Sequence, residues 1–253
     1  MLKTKLINNE FTLGSWITLG NTAIAEIMAK ANFDWLVVDL EHSVISIDVA
    51  GELIRTIDLC GVTPLVRLTS NDENQIKRVM DAGSHGIVVP MVNTPEEAKR
   101  AVAATRYAPT GTRGVGLARA QGYGVNFQDY LKWQIDSPVV IVQIEHKDAI
   151  DNLDEILKVP GVDGFIIGPY DLSCSMGIPG EFTHPDFITA VNKIRNIGQK
   201  LGSPSGIHIV EPDVQRLEQS VNEGYKFIAY SVDIRMLDVS VRQGISTIQE
   251  LKK

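Results

Sequence analysis

The chain has 253 residues, 44% hydrophobic and 22% charged, a mix that excludes fibrous repeats and disordered polymers. A net charge of -7 argues against the basic face that nucleic-acid binding normally needs. Two cysteines, Cys60 and Cys174, make no disulfide framework and fit a reducing, cytoplasmic setting.

The opening segment, MLKTKLINNEF, has two lysines but no signal-peptide core, and no later run reaches membrane-span length. A first β-rich run covers 14–18, and a helical pattern follows over 23–31. The second run, 35–39, closes on Asp39; Glu41 and His42 come next, then a helix over 47–60. The third, 63–67, closes on Arg67 and leads to a helix over 73–82, with Asn71 or Asp72 as N-cap. After the fourth, 86–89, Thr94-Pro95-Glu96-Glu97 opens a helix with a cap, a first-turn proline and acidic residues at the positive dipole end. Residues 108–128 are long, glycine-rich and irregular. The fifth run, 139–144, carries Gln143 and is followed by Glu145, two residues on and so on the same side. A helix over 149–157 leads to the sixth run, 164–167, and then to Gly168-Pro169-Tyr170-Asp171. Residues 168–183 show no clear helical period. Helices over 185–201, 212–223 and 234–251 alternate with runs 205–208 and 227–231.

Strands alternating with helices mark a parallel sheet built from βα units. Eight of each, in about 250 residues, predict a single-domain (β/α)8 TIM barrel over the whole chain. An open doubly wound sheet competes, because periodicity alone does not prove closure.

In such barrels the active site lies at the C-terminal strand ends. Asp39, His42, Arg67, Gln143, Glu145 and Asp171 all fall there. Each has a bland alternative. Asp39 can cap the following turn, Arg67 can pair at the surface, His42 can be solvated, and Asp171 can cap a short turn. Glu145, after the apolar run VVIVQI, is harder to dismiss: a carboxylate there needs a partner or a cation. Co-location of all these groups favours function. His85, His146, His184 and His208 show no metal-ligand spacing and read mostly as surface or loop residues. Trp16, Trp35 and Trp133 read as core or interface, and Arg119 and Tyr123 could line a site or a flexible cover. Gly114-Val115-Gly116 does not join a strand to a helix, so it is no dinucleotide fingerprint.

Two carboxylates with open coordination positions suit a hard dication, Mg2+, Mn2+ or Co2+. A 2-oxo acid could complete the shell, its ketone polarised for aldol cleavage. Arg67 would steady the developing negative charge, His42 would act as acid/base, and Gln143 would orient substrate or water. No lysine closes a predicted strand, which favours metal over imine chemistry.

The segments VVDLEHS (37–43), PLVRL (64–68), MDAGSHGIVVPMVN (80–93), RGVG (113–116), VQIEH (142–146) and GPYDLSCSMG (168–177) resemble the class II pyruvate aldolases. These include the 4-hydroxy-2-oxoheptanedioate, 2-dehydro-3-deoxyglucarate and 2-keto-3-deoxyrhamnonate aldolases. The resemblance implies a hexamer, a trimer of dimers, with the last helix exchanged between neighbours. It implies a metal on Glu145 and Asp171, His42 as base, and Arg67, Gln143, Gly168, Tyr170 and Asp171 around the substrate. It further implies that Asp81 reaches a neighbouring subunit's histidine; from the residues alone Asp81 reads as a helix-end surface group. Tyr170 stands where many relatives have alanine or serine, and the loop after Gly116 is short, so the aldehyde partner is open. Related lyases, oxaloacetate decarboxylases and a non-catalytic 2-oxo-acid sensor are the competing readings.

Overall fold

Val139–Ile144 is apolar at five of six positions, so neither face tolerates water; such a run becomes a strand buried on both sides. The structure, a computed structural model, describes residues 1–251. Eight such strands close in sequence order into a parallel barrel, β8 pairing back onto β1. They are β1 Thr12–Ile17, β2 Trp35–Asp39, β3 Thr63–Arg67, β4 Gly86–Val89, β5 Val139–Ile144, β6 Gly164–Ile167, β7 Ser205–Ile209 and β8 Phe227–Val232. The helices are α1 Leu2–Ile7, α2 Thr22–Ala29, α3 Ile47–Leu59, α4 Glu73–Asp81, α5 Pro95–Thr105, α6 Phe127–Asp136, α7 Lys147–Leu157, α8 Pro169–Ser175, α9 Pro185–Leu201, α10 Val214–Asn222 and α11 Asp233–Leu251. Closure excludes the open-sheet alternative.

Local chemistry sets the helix starts. Asp72 accepts the Gln75 N–H at 2.7 Å, and Thr94 with Glu97 forms a reciprocal capping box on α5. Three helices lie where none was read. α1 and α8 have only six and seven residues, too few to display a period. α6 buries only Tyr130 and Gln134, with Trp133 partly buried against the core, which weakens its apolar stripe.

The two-residue alternation divides the core in two. Leu36, Val38, Val66, Val140, Val142 and Ile167 face the helices. Trp16, Trp35, Val37, Leu65, Ile141, Ile166 and Phe227 fill the barrel. Trp35 stacks on Phe227 at 3.9 Å, and its indole fills the space where a Cβ on Gly14 would be.

The lower strand ends are closed by α1. Leu2 and Leu6 join the interior cluster. Lys3 reaches Asp163 at 2.6 Å, and Lys5 reaches Asp34 at 2.6 Å. Among the described residues no helix is long and apolar enough to cross a membrane.

Gly14→Ala should cost about 1–3 kcal/mol through overpacking against Trp35. Urea unfolding of the variant checks this, and an unchanged midpoint would contradict the packing.

Candidate functional site

Alternation aims Asp39 and Arg67 into the barrel mouth, and the β2–β3 register sets them side by side. Arg67 donates from Nε to Asp39 Oδ1 at 2.8 Å and from Nη2 to Oδ2 at 2.6 Å, a bidentate clamp. Asp39 Oδ1 also accepts the N–H groups of Glu41 (3.0 Å) and His42 (3.3 Å), so it does cap the turn after β2. The guanidinium lies 4.4 Å from the Trp16 ring centre and 3.3 Å, through Nη1, from Glu41 Oε2. Burial pushes the Glu41 carboxyl up to about 7, against the opposing pull of Arg67; Glu145, Asp39 and Asp171 add repulsion.

Glu145 follows β5 and is 2% exposed. Its Oε1 accepts the Met91 N–H at 2.7 Å, and its Oε2 accepts from Gln143 Nε2. Met91 holds a left-handed backbone, φ 53°, just after β4. Burial raises the Glu145 carboxyl above its usual range; the Gln143 and Met91 bonds oppose that, and the Asp171 charge adds to it. A Cβ on Gly168 would lie 2.5 Å from Glu145 Oε2, so glycine here keeps room around the carboxylate.

A cavity of about 430 Å³ opens at this end of the barrel. His42, Arg67, Gln143, Gly168, Tyr170 and Asp171 line it, and Glu145 sits one step behind. The His42 side chain is exposed, with Nε2 3.9 Å from Glu41 Oε2. The Tyr170 ring meets Phe182 edge-on at 4.9 Å and stays 57% exposed, so it sits at the rim.

Three participants escaped the sequence reading. Trp16 lines the cavity, as does His208, which is not a surface residue. Glu41 was seen but given no role. Period-two counting from Gly206 would have turned His208 inward. The Glu41 contact depends on the turn geometry and has no sequence signal.

Other candidates lie elsewhere. Asp81 does not line the cavity; it pairs with buried Arg113 at 3.1 Å, and burial raises its carboxyl against that pull. Arg119 binds Asp58 at 2.5 Å, and with Tyr123 it borders a separate hollow beside His85. The glycine-rich loop therefore adds nothing to the cavity of its own chain. His146 and His184 cap α7 and α9.

The donor set fits a hard dication. Glu41, Gln143, Glu145 and Asp171 bring side-chain oxygens together here, and Glu41 Oε2 and Gln143 Oε1 are buried without hydrogen-bond partners. Among the described residues no three His, Cys, Asp or Glu side chains form a closed metal cage, so Glu145 and Asp171 would leave most positions to other ligands.

Glu41 makes this charge excess measurable. The unfolded carboxyl ionises near 4.5 and the folded one near 7. Between those values the folded state holds the extra proton, so this group's contribution to stability falls as pH rises. In EDTA, Glu41→Gln should gain on wild type by up to about 3 kcal/mol between about pH 5 and about pH 8 in urea unfolding. A difference independent of pH would contradict this.

A family pattern described as HpcH/HpaI aldolase/citrate lyase matches residues 12–238. A hydroxypyruvate/pyruvate aldolase of Sagittula stellata is 38% identical over 93% of this chain and 92% of its own. A 2-keto-3-deoxy-L-rhamnonate aldolase of Escherichia coli is 35% identical over 99% and 93%. The crystal structure of a HpcH/HpaI aldolase/citrate lyase family protein from Burkholderia cenocepacia superposes with a TM-score of 0.92 at 33% identity, covering 98% of each chain. With barrel and sequence in agreement across nearly its whole length, this chain belongs to the HpcH/HpaI aldolase/citrate lyase family and is a lyase of the aldolase type.

Proposed function

We propose that the protein works as one (β/α)8 domain, a divalent-metal-dependent aldolase that reversibly cleaves a 4-hydroxy-2-oxo acid to pyruvate and an aldehyde. The observation that carries this reading is the buried Glu145 carboxylate, raised by burial and by Asp171, behind a cavity that also holds Arg67 and Gln143. The relatives' names, hydroxypyruvate/pyruvate aldolase and 2-keto-3-deoxy-L-rhamnonate aldolase, support a 2-oxo acid substrate.

Glu145 and Asp171 would hold Mg2+, Mn2+ or Co2+. When bound there, the ion would polarise the 2-oxo group and stabilise the enolate released by cleavage. Arg67, fixed by Asp39, sets its guanidinium beside the developing negative charge. Gln143 orients the substrate from the cavity wall, and Gly168 leaves space there. The first turn of α8 offers the N–H groups of Tyr170 and Asp171 to the substrate carboxylate. His42 takes the proton of the 4-hydroxyl. The C3–C4 bond then breaks, its electron pair passes to C3, and C4 leaves as the aldehyde; a proton returned to C3 yields pyruvate.

His42 lacks a strong partner in its own chain, and Asp81 lies away from it. We assign Asp81 to the His42 of a second copy in a homo-oligomer, a hexamer built as a trimer of dimers. An apolar stripe supports assembly: Ile234, Leu237, Val241, Ile245 and Ile248 on α11 are each at least 45% exposed, at spacings of three and four. This stripe would be covered if α11 packs on a neighbour. Two free, exposed thiols, Cys60 and Cys174, support the cytoplasm as the location.

Pyruvate with a panel of aldehydes and each metal should give aldol adducts, lost in EDTA and lost in Glu145→Ala. Undiminished activity in that variant would remove the site; oxaloacetate decarboxylation without any adduct, or pyruvate binding without turnover, would replace the activity. Mixing inactive His42→Ala and Asp81→Asn subunits, each dissociated and reassembled together, should restore part of the activity. No restoration would confine each site to one chain.

A further inference from the structure

Asp81 sits where a carboxylate is costly. It is the last residue of α4, at the negative end of the helix dipole, and its side chain is only 25% exposed. Burial pushes its carboxyl up, and Arg113, then Lys77, pull it back. Arg113 opens the Arg-Gly-Val-Gly stretch of the glycine-rich loop, and its side chain is wholly buried. Its Nη2 lies within bonding distance of Asp81 Oδ1 (3.1 Å), Tyr107 Oη (3.0 Å) and Tyr130 Oη (2.8 Å), and Nη1 donates to the Thr105 carbonyl at 3.0 Å. The guanidinium carbon stands 4.5 Å from the Tyr107 ring centre and 5.4 Å from that of Tyr130. Gln121 donates to Tyr107 Oη and so ties the loop to the same cluster.

Stability does not account for this arrangement. Arg113 Nε is buried without a partner. An apolar side chain in place of a buried, incompletely satisfied ion pair is often neutral or stabilising. What the cluster does achieve is one fixed carboxylate. Arg113 takes Asp81 Oδ1, while Oδ2 has no hydrogen-bond partner among the described residues. A Cβ on Gly116 would meet only that Oδ2, at 4.0 Å, so the loop leaves this oxygen open. Resting on the reading above that Asp81 serves His42 of a second copy, we propose that Arg113 is the positioning residue for this pair: braced by Tyr107 and Tyr130, it holds the Asp81 carboxylate in one orientation, with Oδ2 left for the imidazole.

Steady-state kinetics of the Mg2+-loaded protein, with pyruvate and one aldehyde, and subunit mixing test this. Tyr130→Phe, which keeps the ring and loses the hydroxyl, should lower kcat by about fivefold, the size of one net hydrogen bond, with KM for pyruvate within about twofold. Arg113→Met should lose kcat as fully as Asp81→Asn, again with little change in KM. Arg113→Met subunits dissociated and reassembled with His42→Ala subunits should recover activity, in up to about a quarter of the sites if each site draws on two chains at random. Reassembled with Asp81→Asn subunits they should recover none, because both chains then fail on the same side. A purely structural role for Arg113 would not sort the two mixtures in this way. Should Arg113→Met fail to assemble, Arg113→Lys, which keeps the charge without the fork, replaces it in both. A wild-type kcat in either Arg113 variant overturns the assignment. So does equal recovery, or none, in both mixtures while His42→Ala and Asp81→Asn complement each other. Failure of those last two to complement would instead sink the two-chain reading.

Discussion

Asp39, Glu41, Glu145 and Asp171 share the mouth of the barrel with the Arg67 guanidinium, and that excess of negative charge governs the site. Asp39 is neutralised by the bidentate clamp. The others remain, two of them pushed upward by burial and mutual repulsion. A protein keeps carboxylates in such a place only if something offsets their desolvation. A dication held by this oxygen-rich set, as proposed, would supply the counter-charge and would also stabilise the enolate of a 2-oxo acid.

Closure of the barrel makes this concentration of charge possible. Eight parallel strands turn every second residue into one volume, so the lower layers fill with Trp35, Phe227, Leu65 and Ile141 while the top layer is left for polar groups. The lower layers are tight enough to demand glycine at position 14. α1 shuts the bottom with Leu2 and Leu6 and two lysine–aspartate pairs, leaving the chemistry at the opposite end.

Two residues accept backbone strain at that upper end. Met91 and Ser231 both hold left-handed conformations that most side chains avoid. Each uses it to aim a backbone group: the Met91 N–H at Glu145 and the Ser231 carbonyl at His208. The first contact orients the Glu145 carboxylate, whose second oxygen accepts from Gln143, and the second sets His208 Nε2 beside an acceptor. Strain here stabilises specific orientations that flexible side chains alone would not hold.

The sequence determined the strands almost to the residue, because strands buried on both faces are rich in apolar residues and are bounded by polar and turn-forming ones. It determined the site's charged members too: Glu145 after VVIVQI and Arg67 after PLV announce themselves by interrupting apolar runs. The tertiary structure alone decided which groups meet. His208 belongs to the cavity because barrel curvature turns β7 inward beside Trp16, and Glu41 joins it because the β2 turn folds back over Arg67. It likewise separated Arg119, Tyr123 and Asp81 from the mouth of their own barrel. Burial patterns are local and leave their mark in composition; convergence joins residues more than a hundred positions apart, and no short-range pattern carries it.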